Sequence, residues 1–150
     1  MIEVKGGRKA QRILAHDVGY WCWDKLMPRK RNMHIDVTMM KPDGVASGYC
    51  TGFVHAGFTD IEIELSKALD DMYSLTLVMC HEMVHAKQIA RKEFRQIYHR
   101  ELWHGEDHTN TRYRKQPWEI EAYSLDKVFA KEFIREYYGM TLKKARETRV

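Results

Sequence analysis

Apolar positions along the chain switch between two periods. Ala10, Ile13, Leu14, Val18, Trp21, Cys22 and Leu26 recur at helical spacing and stop before Pro28, which predicts an N-terminal helix. Alternating runs follow at residues 33–39, 49–54 and 61–65, with Pro42-Asp43-Gly44 as a turn between the first two. In the third run Ile61, Ile63 and Leu65 face one way while Glu62 and Glu64 face the other. From Ser66 the chain leads into a second helix, on which Met79, Met83, Ala86, Ala90 and Ile97 form one apolar stripe. Pro117 suits the first turn of a third helix, along which Ile120, Tyr123, Leu125, Val128, Phe129 and Phe133 recur up to Gly139, a natural stop. The pattern predicts an α+β fold: an N-terminal helix, a small antiparallel sheet, and two longer helices separated by a polar hairpin or lid.

Composition adds bounds. A chain of 150 residues, 44% hydrophobic and 31% charged, suits one globular domain over 1–150, with no repeat or linker. No apolar run approaches the roughly 18 residues of a membrane span, and the first residues lack a secretory stretch. Cys22, Cys50 and Cys80 are odd in number and widely spaced, which fits neither a disulfide framework nor a zinc ribbon and points to a reducing cytoplasm. Cys80 reads as a small buried side chain. The net charge is +4, with basic clusters at Arg112, Arg114 and Lys115 and at Lys143, Lys144, Arg146 and Arg149. Such clusters are more often solvated surface than nucleic-acid sites, and no nucleic-acid module accompanies them.

The chemistry concentrates in His81-Glu82-Met83-Val84-His85, an H-E-x-x-H inside the second helix. Positions i and i+4 stack on one helical face, so both imidazoles can grip one ion. Glu82 lies about 100° around the helix, where a carboxylate reaches a metal-bound water without binding the metal. His81 and His85 share their face with Gln88 and Lys92, away from the apolar stripe, as residues lining a cleft do. A catalytic zinc takes three protein ligands and one water. His99, His104, His108, Glu119 and Glu121 are the downstream candidates, and Glu119 falls in the first turn of the third helix, where a carboxylate suits the helix dipole.

H-E-x-x-H on one helix with Glu119-Ile120-Glu121-Ala122 on a later one resembles the gluzincin branch of zinc metallopeptidases, over roughly residues 60 to 130. Pro117-Trp118-Glu119-Ile120-Glu121-Ala122 is similar to a segment of small phage-encoded putative metallopeptidases, and the chain is close in length to the shortest gluzincins, the minigluzincins. The resemblance implies a zincin-like hydrolase with one Zn²⁺ on His81, His85 and Glu119, Glu82 as general base, and a peptide or protein substrate. It also implies a host-cytoplasm setting if the chain is phage-encoded, and an edge strand along the cleft, a role assigned to residues 61–65. The family often has Asp or Asn four residues after the ligand Glu, where this chain has Tyr123, and Glu121 remains the competing ligand. His81 to Ala86 also resembles the helix of SprT-like, DNA-associated proteases, under which His104 or His108 would replace Glu119. A metal-stabilised, non-catalytic module is a third reading. Tyr113, Arg112, His104 and His108 are open candidates for a donor to the oxyanion.

Overall fold

Four strands in the first half of the chain build the platform on which the long helices rest. In the computed structural model these are β1 (Ile2–Lys5), β2 (Met33–Met40), β3 (Gly48–His55) and β4 (Phe58–Ser66), with α1 (Lys9–Leu26) between the first two. There follow α2 (Met72–Ala90), a meander of β5 (Phe94–Ile97), β6 (Arg100–Trp103) and β7 (Glu106–Asp107), then α3 (Pro117–Tyr138) and α4 (Leu142–Glu147). The structure describes residues 1–42, 44 and 46–150, so the expected turn at Pro42-Asp43-Gly44 lies partly outside the described residues.

The fold is α+β, but its main sheet is mixed rather than antiparallel. Strand order is β1-β2-β4-β3. The connection through α1 lets β1 and β2 run parallel, and the chain's return along β3 lets β4 run parallel to β2. Only β3 is antiparallel, joined to β4 by a two-residue turn in which Ala56 and Gly57 both have positive φ. The expected edge strand is therefore corrected. Residues 61–65 lie in β4, paired on both sides, and the edge beside the helices is β3.

Alternation places Ile35, Val37, Ile61, Ile63 and Leu65 on the covered face, each fully or almost fully buried. The helices pack on this face. On α1 the buried positions include Leu14, Val18 and Cys22 as expected, joined by Gln11, Ala15, Gly19 and Trp23, whereas Ile13 is exposed. Gly19 permits close approach, since a Cβ there would meet Ile2 and Met79 carbons at 3.0 Å. The opposite face is polar: in one row across the strands stand Glu3, Asp36, Glu62 and Thr51.

Helix α2 packs against α1, α3 and the sheet and is buried along most of its length. The Asp71 carboxylate accepts from the Ser74 N–H and caps its start. It ends at Ala90, earlier than the apolar stripe implied, and Ile97 belongs to β5 instead. The backbone closes the helix before that residue is reached: the Glu93 N–H donates to Gln88 O and the Lys92 N–H to Ile89 O, with Lys92 at φ 57.

The bounds of α3 agree with expectation, from Pro117 in the first turn to Gly139 in the left-handed conformation. Its packing face does not. Ile120, Tyr123 and Val128 are exposed, and the buried face carries Trp118, Glu119, Ala122, Asp126, Ala130 and Phe133. Polar residues occupy that face because it is turned to the histidines of α2. At the C-terminus Arg149 pairs with Asp70 and Arg146 lies over the Tyr73 ring, so these two basic residues pack the tail onto the start of α2. Among the described residues no helix is long and apolar enough to cross a membrane.

Candidate metal centre

Three expected ligands converge. One ligand atom each from His81, His85 and Glu119 lies within 4.8 Å of the other two. The two Nε2 atoms are 3.2 Å apart; Glu119 Oε2 is 3.2 Å from His81 Nε2, and Oε1 is 3.3 Å from His85 Nε2. His81 and Glu119 are each 8% exposed, so the cluster sits at the bottom of a cleft.

Hydrogen bonds to the far side of each ring decide which nitrogen faces the centre. His81 donates from Nδ1 to Asp126 Oδ2 at 3.1 Å. His85 donates from Nδ1 to Gln88 Oε1 at 2.8 Å. The Gln88 amide cannot be turned around, because its nitrogen donates to Trp118 O and to Glu121 Oε1. In their neutral form both imidazoles would turn Nε2 lone pairs to each other and to a carboxylate, a repulsive arrangement that a cation among them relieves, either a proton shared with Glu119 or a metal ion. Two imidazoles and one carboxylate are a donor set that suits Zn²⁺, and the residues present fit that ion.

The protonation balance points the same way. Burial alone would lower the His81 pKa, but hydrogen bonds to Asp126 and Glu119 and the charges of Glu82 and Glu119 outweigh it and raise it to about 9. His85 is raised against burial by its hydrogen bond to Glu119 and the neighbouring carboxylates. Glu119 is held down at about 2: burial opposes, and the hydrogen bonds and charges of the two histidines prevail. Glu82, 5% exposed, is pushed up to about 7, chiefly by burial. The centre attracts positive charge, as protons or as metal.

The other sequence candidates are placed elsewhere. Glu121 accepts from Lys87 Nζ at 2.6 Å and from Gln88, so it braces the centre from behind instead of competing with Glu119. Lys87, 7% exposed, also binds Glu93 at 2.7 Å and so ties α2, α3 and the head of β5 together. His99 and His104 lie in the two turns of the meander, both with positive φ, and His108 engages Thr111. None of the three joins the ligand cluster. Tyr123 takes no hydrogen bond from a ligand histidine but packs edge-on against His81, ring centroids 4.6 Å apart. The orienting carboxylate that was sought there is Asp126, seven residues after Glu119 and so about two turns along the same face. That heptad spacing was the available signal, and the apolar stripe drawn through Ile120 and Tyr123 hid it. Cys80 is buried behind His81, its sulfur 3.6 Å from that of Cys22, and all three cysteines are free.

The cleft measures about 1100 Å³. One wall is β3 and the other includes Tyr113, Trp118 and Tyr123. The Tyr113 hydroxyl donates to Glu119 Oε2 at 3.1 Å and lies 3.2 Å from that of Tyr123. Its pKa is raised by burial and by Tyr123 and Glu119, so the phenol keeps its proton. Arg112, His104 and His108 do not line the cleft.

Replacing Gln88 with Leu should weaken zinc binding about 10- to 100-fold while the chain stays folded, as loss of such an orienting partner does; competition with a chromogenic chelator measures it, and unchanged affinity would detach Gln88 from His85. The metal-free chain should lose stability as pH rises. Folded Glu82 keeps a proton between 4.5 and about 7, and folded His81 between 6.5 and about 9, that the unfolded chain releases. The stabilising effect of Glu119 runs the other way, present above 4.5 and lost towards about 2. Added zinc should raise Tm more at pH 9 than at pH 6, because it competes with protons for the imidazoles. Scanning calorimetry with and without zinc reads both trends, and a zinc increment that shrinks with pH would remove the imidazoles from the ligand set. Comparison with known proteins returns no matching family model, no curated protein and no solved structure.

Proposed function

We propose that the protein is a zinc-dependent peptidase of gluzincin type. The observation that carries this reading is the convergence of His81, His85 and Glu119 at the floor of an open cleft, with Glu82 beside them on the same helix. His81, His85 and Glu119 would hold one zinc ion, which would supply a water of lowered pKa and a Lewis acid for the scissile carbonyl. Glu82 accepts the proton at a carboxylate oxygen and passes it to the leaving amine, a role for which a carboxylate raised towards neutrality is suited. Tyr113, protonated on the cleft wall, would release its hydrogen bond to Glu119 and donate to the developing oxyanion instead. Asp126 and Gln88 hold the two imidazoles in the ligating tautomer throughout.

An extended peptide fits along β3, which has no further strand on its cleft side among the described residues and offers main-chain donors and acceptors there. The SprT-like alternative gains no support, since His104 and His108 stand outside the cluster. The closed, non-catalytic module gains no support, since among the described residues the metal-ligating group in the cleft is His81, His85 and Glu119, and Glu121 is paired with Lys87 instead.

The test pairs metal content with turnover. Wild-type protein should carry one zinc per chain and cleave unstructured casein, and Glu119→Ala should lose the metal. Glu82→Gln should keep the metal and lose about 10²- to 10⁴-fold in rate; undiminished turnover would dismiss Glu82 as the base. A subtler variant probes the strand. A Cβ on Gly48 would meet Glu82 Oε1 and Val78 Cγ1, each at 2.6 Å. The flexible carboxylate must yield, so Gly48→Ala should cut kcat by about 10- to 100-fold with zinc retained. Wild-type kinetics in that variant would show that the position of Glu82 is immaterial.

A further inference from the structure

Beyond His85 the cleft runs past Gln88 and Ile89 to Lys92, Phe94 and Arg95, where α2 ends and the meander begins. Cations around this corner are otherwise engaged. Lys87 binds Glu93 and Glu121, Arg91 donates to Leu26 O, and Arg100 lies 3.8 Å from Asp107. Lys92 and Arg95 are exposed, line the cleft, and have no carboxylate partner among the described residues. Of the carboxylates on the cleft walls, Glu82, Glu119 and Asp126 belong to the metal cluster. Glu101 lies on β6, one strand further from α2.

The backbone at Lys92 is the second observation. Residue 92 holds the left-handed position of the turn that ends α2, with φ 57 and the Glu93 N–H returning to Gln88 O. Glycine is the favoured residue at that position, because a Cβ is strained there. This chain keeps a lysine where glycine would be more stable, at a point that faces the cleft. The lysine side chain at this turn is thereby placed on the cleft wall.

We propose, resting on the peptidase reading, that Lys92 and Arg95 select substrates with an acidic side chain in the stretch of peptide lying past the end of α2. The carboxylate would be held by charge-assisted hydrogen bonds from the ammonium and the guanidinium. Exposed pairs of this kind are screened by salt, so the preference must weaken as ionic strength rises.

The test measures binding apart from cleavage. Two fluorescein-labelled dodecapeptide pools of Ala, Leu and Ser, with Glu or Gln at every third position, are titrated against zinc-loaded Glu82→Gln protein. The Glu pool should bind about tenfold tighter, as two exposed ion pairs allow. Adding Lys92→Gly and Arg95→Gln should abolish the difference, and 0.5 M NaCl should shrink it. Lys92→Gly alone should melt no lower than its parent, since it relieves the left-handed backbone. Equal binding of the pools, binding of neither, a preference that survives the double variant, or a clear loss of Tm in Lys92→Gly would each overturn the inference. A Glu preference in binding, with neither pool cut by wild-type protein, would leave the cationic wall standing and bring down the peptidase reading instead.

Discussion

Charge buried between two helices is the constraint around which this structure is arranged. Ionisable side chains at the interface of α2 and α3 cost several kcal/mol each unless partners surround them. Here the two histidines and the lysine have such partners. His81 has Asp126 and Glu119, His85 has Gln88 and Glu119, and Lys87 has Glu93 and Glu121. Most of the partners, Asp126, Glu119 and Glu121, come from α3, so the interface is stitched by polar contacts where an ordinary helix pair would use leucines. Apolar packing is displaced to the ends of the seam, where Trp118 meets Phe94 and Phe133 meets Trp21 and Tyr138. The sheet supplies the remaining rigidity, its covered face filled by branched side chains of β2 and β4.

The cleft follows from topology. Because β4 is central and β3 turns back antiparallel, the free edge of the sheet comes to lie beside the histidine helix. Gly48 allows strand and helix to touch at the position of Glu82. The meander closes the other end and is anchored through Glu93, which Lys87 holds from beneath. Position along the cleft is thus set by secondary structure, and the turns carry no ligand.

Much of this was legible in the sequence. The bounds of α3 were readable because Pro117 and Gly139 each have a backbone reason to stand at a helix end. His81 and His85 were readable because ligand chemistry restricts residue type and spacing together, whereas Glu119 was singled out over Glu121 only by the resemblance. Strand direction was not, since alternation in residues 33–39 and 61–65 is the same whether neighbours run parallel or antiparallel. β1 escaped notice as only four residues, Ile2–Lys5, whose pairing partner lies beyond α1. Asp126 escaped for a different reason. Hydrophobic periodicity assigns a helix's buried face to its apolar residues, and on α3 that rule inverts: Ile120 and Tyr123 face solvent while Glu119 and Asp126 go inside. The failure of the pattern falls where the proposed chemistry lies.

The pairing of β3 with β4 has a further consequence. Gly48 is fixed opposite Leu65, and each later residue of β3 is locked in step, so the strand is a ruler whose zero sits at Glu82. A chain laid against its free edge can advance only in steps of two residues without turning its side chains over. On the proposed reading, the bond that reaches the metal is then chosen by counting along the backbone, and side chains are inspected only at alternate positions. An insertion in β3 would move the cut along the substrate without touching a single ligand.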